Sequence, residues 1–346
     1  MNLARFKQIT SRYATLRLAV VGDFCLDRYL EIDPARKEIS LETRLPIHNV
    51  VRVRSQPGGA GTILNNLVAL GVGEIFPVGF CGKDGEGFEL RRCLLARRGV
   101  KLDYFLKTDQ RRTFTYCKPL VITPGQDPVE LNRLDSKNWT PTPALVQGRL
   151  IDSVARLAAE VDAIILMDQV DLPETGVVTA KLLEAIGCIV EELPDLLILA
   201  DSRRSLRGWP PVCLKMNAAE LAALVGSEQS LGMEETKRAA ISFARQRGKD
   251  VFITMAGNGI VGASRAGAVE HVTALPLRGP IDVVGAGDSV TANLAAALAA
   301  WATLREAVEV AAIASSIVVH QLGTTGTASV RQIQELLPAL NSLPPK

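Results

Sequence analysis

Histidine is scarce in this 346-residue chain, with His48, His271 and His320 the whole supply. That excludes a histidine-rich metal site and argues against a Ser-His-Asp hydrolase. Cysteines stand at 25, 81, 93, 117, 188 and 213 with no close pair, so neither a zinc knuckle nor a disulfide scaffold is spelled out. They read as reduced, mostly buried thiols of a cytoplasmic protein. Charge of one sign is missing too: 39 basic against 37 acidic residues leave +2, which removes nucleic-acid or membrane attraction by net charge. No stretch approaches the roughly eighteen apolar residues that span a bilayer, and the N-terminus lacks an apolar core followed by a cleavage site. No GxxxxGK[ST] occurs, which excludes a P-loop nucleotide enzyme at the motif level. Chemistry must therefore rest on carboxylates and backbone.

What is present is an ordinary globular composition, 47% apolar and 22% charged, able to bury a large core. Leu18 to Val21 reads as a buried strand whose end, Gly22-Asp23, opens toward a ligand crevice. From about Tyr29 to Arg54, loose alternation around prolines predicts short strands exposed on one face, the first part of a small sheet leaving the main body. Arg112 to Ile122 alternates with period two and suits a second part of that sheet. Thr123 to Pro143 reads as a connecting loop with a strand-like middle. Apolar strands at Ile75 to Phe80, Ala163 to Met167, Leu196 to Ala200 and Val251 to Met255 alternate with helical stretches, among them Gly87 to Arg98 and Gln147 to Ala159. This is the pattern of a mainly parallel sheet covered by helices on both faces. Pro57 to Gly71 reads as a glycine turn entering a helix, and the last third as alanine-rich helices, Ala292 to Trp301 and Leu304 to Val319.

Two glycine-rich segments are candidates for phosphate. Gly257 to Gly262, GNGIVG, matches GxGxxG, but a strand-like continuation follows, so no helix N-terminus waits for a pyrophosphate. The Asn-Gly step between apolar strands makes it a hairpin, which weakens the reading as an NAD-dependent oxidoreductase. Asp282 to Ser289, DVVGAGDS, runs directly into an apolar helix. There Gly285, Ala286 and Gly287 let successive N–H groups converge into an anion hole for phosphoryl oxygens. Asp288 in the first turn has two readings from spacing alone. It is a general base beside the anion hole, or it complements the helix dipole.

At GAGD the sequence resembles the ribokinase-like (PfkB-type) carbohydrate kinases, from about Leu18 to Thr327. GDFCLD looks like the first family strand, and the resemblance implies that Asp27 holds sugar hydroxyls. GGAG, with Gly58 and Gly59, matches the glycine pair that lets backbone approach the sugar, and Thr62 stands where the family usually has asparagine. Asn217 to Glu220 matches NxxE, which implies magnesium and phosphate organised through water by Asn217 and Glu220; alone, it also reads as a capped helix start. Thr254, Gly257 and Gly259 sit like nucleotide-loop residues, and Asp282 opens the segment that closes with Asp288 in the base position. VVGDFCLDRYL, EISLETRLP, TFTYCK, LNRLD and LGTTGT are similar to the heptose-phosphate kinase subgroup. Departures lie at the sugar end: Glu38, Leu41 and Arg44, Asp168-Gln169-Val170-Asp171 without a lysine, and Val284 before GAGD in place of threonine.

The resemblance implies a three-layer α/β/α unit over residues 1–346 with a small β-sheet lid from about 29–54 and 112–122; no second catalytic domain is expected, since the chain ends soon after the helix at Val330 to Leu340. It further implies an ATP- and Mg2+-dependent kinase acting on a sugar or sugar phosphate, a monovalent cation as an optional cofactor, and a homodimer joined through lid sheets. Neither nucleic acid nor membrane is an expected partner. Basic residues Arg44, Arg52, Arg54, Arg111 and Arg112 in or beside the lid either bind a phosphate on the acceptor or form a solvated face. The alternative from another class is a non-catalytic sensor of nucleotide or sugar phosphate on the same fold.

Overall fold

The computed structural model describes residues 1–342; residues 343–346 of the expected unit lie outside the described residues. After helix α1 (Leu3–Thr10), strand β1 (Arg17–Gly22) enters the centre, and β2 (Phe24–Ile39) and β3 (Pro46–Gly59) leave it as an antiparallel ribbon. The chain returns through α2 (Ala60–Ala69), β4 (Glu74–Gly82), α3 (Gly85–Leu95) and β5 (Phe105–Thr108). It goes out again as β6 (Phe114–Val121), β7 (Val129–Glu130) and β8 (Leu134–Ser136). Alternation follows: α4 (Ala144–Ala158), β9 (Ala163–Asp168), α5 (Ala180–Glu192), β10 (Leu197–Ser202), β11 (Cys213–Asn217), α6 (Ala218–Val225), α7 (Met233–Arg247) and β12 (Val251–Thr254). The hairpin β13 (Ile260–Ala263) and β14 (Val269–Val272) leads to α8 (Ala286–Ala299), α9 (Leu304–Val318) and α10 (Val330–Asn341).

The large sheet has nine strands in the order β14-β13-β12-β11-β10-β9-β1-β4-β5, parallel except for the antiparallel pairs β12/β13 and β13/β14. Strand periodicity divides its core in two. Leu18 and Val20 of β1 pack into one apolar cluster with α2, α8 and α9, while Ala19 and Val21 face the opposite cluster with α4 and α5. Burial on both faces explains why these strands read as continuous apolar runs. The result is the α/β/α arrangement that the sequence predicts.

The smaller sheet has the order β3-β2-β6-β7, with β8 also paired to β6. Here the sequence reading needs correcting: residues 29–54 form two long strands, not several short ones. Pro34 is accommodated because pairing slips between Ile32 and Lys37, where the Asp33 carboxylate accepts the Ala35 N–H at 2.9 Å. The GNGIVG segment is the expected hairpin, with Thr254 opposite Ile260 and Gly259 at φ +93°. Among the described residues no helix is long and apolar enough to cross a membrane, and all six cysteines are unpaired.

Candidate active site

Gly285 adopts φ +83° and caps α8, turning the chain so that the first N–H groups of the helix face outward. Among the described residues, the N–H groups of Gly285, Gly287 and Asp288 meet no backbone acceptor. That of Ala286 differs from the expected set: it donates to the Val283 carbonyl at 3.2 Å. Asp288 lies in the first turn and is 8% exposed. Its carboxylate accepts no hydrogen bond from the described residues, so it caps no N–H group of α8. Burial pushes the Asp288 carboxyl up to about 7, the charge of Asp201 adds to the rise, and Lys215 and Arg203 oppose it.

Lys215, in the middle of β11, is buried and donates to Asp201 at the end of β10 at 2.8 Å. Thr291 of α8 donates to the same Asp201 oxygen at 3.0 Å. The ammonium reaches the first turn of α8: a Cβ on Gly287 would lie 3.0 Å from Lys215 Nζ. This pair sits where two cavities meet. One, of about 1100 Å³, is walled by apolar groups such as Leu231, Met255, Leu275 and Val319; the other, of about 560 Å³, is walled mainly by charged and polar ones. Both are lined by Lys215, Asn217, Val283 and Gly287.

The structure brings most of the expected residues to these cavities. Asp27, Gly59, Thr62, Glu220, Gly285, Gly287 and Asp288 line the polar one, and Thr254, Gly257, Gly259 and Ala286 the apolar one, while Asn217 touches both. Gly58 stands behind the wall, and a Cβ there would fall 2.5 Å from the Asp27 carboxylate, so glycine is what allows Asp27 its position. Burial raises the Asp27 carboxyl, with Lys118, Arg133 and Arg203 pulling it back. Asn217 and Glu220 form a reciprocal capping box at the start of α6, at 2.9 and 2.7 Å. Each group keeps a second acceptor position beside the polar cavity.

Asp282 does not join them. It lines neither cavity; its oxygens accept the N–H groups of Val284 at 3.0 Å and Gly323 at 3.2 Å and so fix the turn into α8. The suggested basic residues also lie elsewhere. Arg54 pairs with Glu31 at 2.6 Å, Arg111 is buried against Thr140 and Thr142, and Arg44, Arg52 and Arg112 do not line the polar cavity. The cations that do are Lys118, Arg133, Lys137, Arg203 and Lys215. Arg133 is held by Asp135 at 2.9 Å and Lys137 by Asp171 at 3.0 Å, so a lysine does reach the end of β9, from a different segment than in the related pattern. Asp168, at that strand end, is buried and bound by Arg204 and Ser202.

A mainly parallel sheet with an apolar and a polar cavity joined at a helix N-terminus places the molecule among ribokinase-fold proteins. Solved structures agree: ribokinase of Arabidopsis thaliana in complex with ribose and ATP superimposes with a TM-score of 0.66 at 18% identity, covering 93% of this chain and 98% of that one. Phosphofructokinase-2 of Escherichia coli in complex with substrates and products gives 0.72 at 18% identity, covering 94% and 99%. The model of the pfkB family of carbohydrate kinases matches residues 17–331, and the chain belongs to that family. Curated relatives include the bifunctional protein HldE of Hyphomonas neptunium, 32% identical over 96% of this chain, and that of Pelobacter propionicus, 33% identical over 95%. The chain spans 66% and 64% of the length of those two proteins.

Proposed function

We propose that this chain transfers the γ-phosphoryl group of ATP to a hydroxyl of a sugar phosphate, with a heptose-phosphate-like acceptor favoured. The observation that carries the reading is the unbonded Asp288 carboxylate, set at the polar side of the junction between a nucleotide-sized apolar cavity and a polar one. Its raised proton affinity suits a base working near neutral pH. Asp27 and Thr62, on backbone permitted by Gly58 and Gly59, orient the acceptor hydroxyl, and Asp288 takes its proton as the oxygen attacks phosphorus. The leaving group is ADP. The N–H groups of Gly285, Gly287 and Asp288, with the Lys215 ammonium, stabilise charge on the transferring group. Thr254, Gly257 and Gly259 border the space assigned to the nucleotide.

The donor set fits magnesium held largely through water: Glu220 offers a free carboxylate oxygen and Asn217 an amide oxygen beside both cavities. Glu220 and Asn217 would hold the ion there, where it supplies charge neutralisation for the phosphates. Lys118 and Arg203 line the polar cavity with no ion-pair partner among the described residues and support an acceptor that already carries a phosphate. The resemblance of VVGDFCLDRYL, LNRLD and LGTTGT to the heptose-phosphate kinases favours the same substrate class. The small sheet acts as a lid that excludes water and, through exposed Leu41, Leu45, Val51 and Val53, joins a second copy.

The test is ATP- and magnesium-dependent ADP release over matched pairs of sugars and their phosphates. Turnover confined to the phosphorylated members supports the reading. Nucleotide binding with no ADP release on any member would return the weight to a sensor.

A further inference from the structure

Gln56 of β3 stands directly opposite Asp27 in the antiparallel pairing, so both side chains project from the same face of the small sheet. Its amide nitrogen donates to Thr325 Oγ1 at 2.7 Å, and its carbonyl oxygen accepts from Thr324 Oγ1 at 3.4 Å. Among the described residues it is the one side chain of the small sheet that hydrogen-bonds the segment after α9. That segment touches the anion-binding turn at two points. Thr325 lies against Gly285, where an added Cβ would be 3.2 Å from Thr325 Cβ, and the Gly323 N–H donates to Asp282, which also accepts the N–H of Val284. A continuous chain of contacts therefore runs from the strand pair that carries Asp27 to the turn that presents the N–H groups of α8.

We propose that Gln56 is a positioning residue that couples seating of the small sheet to the geometry of the anion hole at Gly285 to Asp288. The proposal rests on the phosphotransferase reading. When the sheet is in place, the Gln56–Thr325 bond holds the segment after α9 against Gly285, and the first N–H groups of α8 keep their aim. When the bond is absent, nucleotide still enters its cavity, because Gln56 does not border it, but the phosphoryl site is less ordered during transfer.

The experiment compares the full-length wild-type chain with Gln56→Leu, Thr325→Val, Thr325→Ser and the Gln56→Leu/Thr325→Val double variant. Hydrogen–deuterium exchange without ligand is read over residues 282–289 and 321–327, with Val251–Ala263 as an internal control. Gln56→Leu is expected to speed exchange several-fold in both segments and leave the control unchanged. ADP affinity, measured by calorimetry, stays within about threefold. With the sugar phosphate that wild type turns over fastest, Gln56→Leu lowers kcat about tenfold with little change in the KM for ATP. Thr325→Ser keeps the hydroxyl and most of the rate, and the double variant is no worse than the poorer single one. Unchanged exchange at 282–289 in Gln56→Leu, or single effects that multiply in the double variant, would overturn the coupling. If wild type turns over no sugar phosphate, the functional reading fails instead, and the exchange data still decide whether the contact orders the turn.

Discussion

Asp288 concentrates what a single side chain contributes to this account. It is buried, unbonded and pushed up to about 7 mainly by burial, so its charged form is disfavoured in the folded chain relative to the unfolded one. The sign follows by linkage. With the folded value above the unfolded one, the group's favourable contribution to stability is full below the unfolded value near 4 and is lost as pH rises through about 7. Asp288→Asn should therefore raise the melting temperature, by an amount that grows from pH 4 to pH 7 and levels off above, as thermal denaturation across that range would record. Activity runs the other way: kcat/KM of the wild type should fall below about pH 7, where the base is protonated. Asp27 offers a second test at this scale. Gly58→Ala places a methyl group against its carboxylate, so steady-state kinetics should show the acceptor KM rising about tenfold while nucleotide affinity is unchanged.

Strand β11 shows where an element escapes the eye in the sequence and why. Its five residues, CLKMN, carry Lys215 at the centre, and a charge inside a short apolar run breaks the pattern by which strands are read. The residue that hides the strand also lines both cavities, a local inconsistency typical of working sites. Lys215→Met should destabilise the chain by about 3–5 kcal/mol in urea titrations, since it leaves Asp201 buried and unpaired. Adding Asp201→Asn should restore much of that stability but not the rate, if the ammonium serves the transferring phosphoryl group. The start of α8 is the opposite case. GAGD followed by an apolar helix was legible because the glycine turn, the first-turn acid and the helix are contiguous. Lys118, Lys137 and Arg203 were not legible, because their meeting depends on β6, the β8 to α4 connection and β10 converging from distant parts of the chain. Arg54 and Arg111 looked available in the sequence for the same reason: Glu31 and Thr140, which occupy them, are separated from them along the chain.

At the scale of the whole molecule, two sheets divide the labour: the large one fixes the helix start, and the small one carries Asp27. The alternation of apolar strands and helices made the large sheet readable in outline, whereas the length of the β2–β3 ribbon was obscured by Pro34 and by polar residues facing outward. The apolar residues left exposed on that ribbon predict an association that sedimentation velocity can measure: the wild type as a dimer and Val51→Glu shifted to monomer. The central claim, that Asp288 is the base of a sugar-phosphate kinase, is tested most directly by ADP release from wild type and Asp288→Asn side by side, with ATP affinity measured by calorimetry on both. The account predicts acceptor-dependent turnover in the wild type, a loss of at least about a thousandfold in the variant, and ATP affinity preserved within a few-fold. Turnover in Asp288→Asn near the wild-type rate would contradict it.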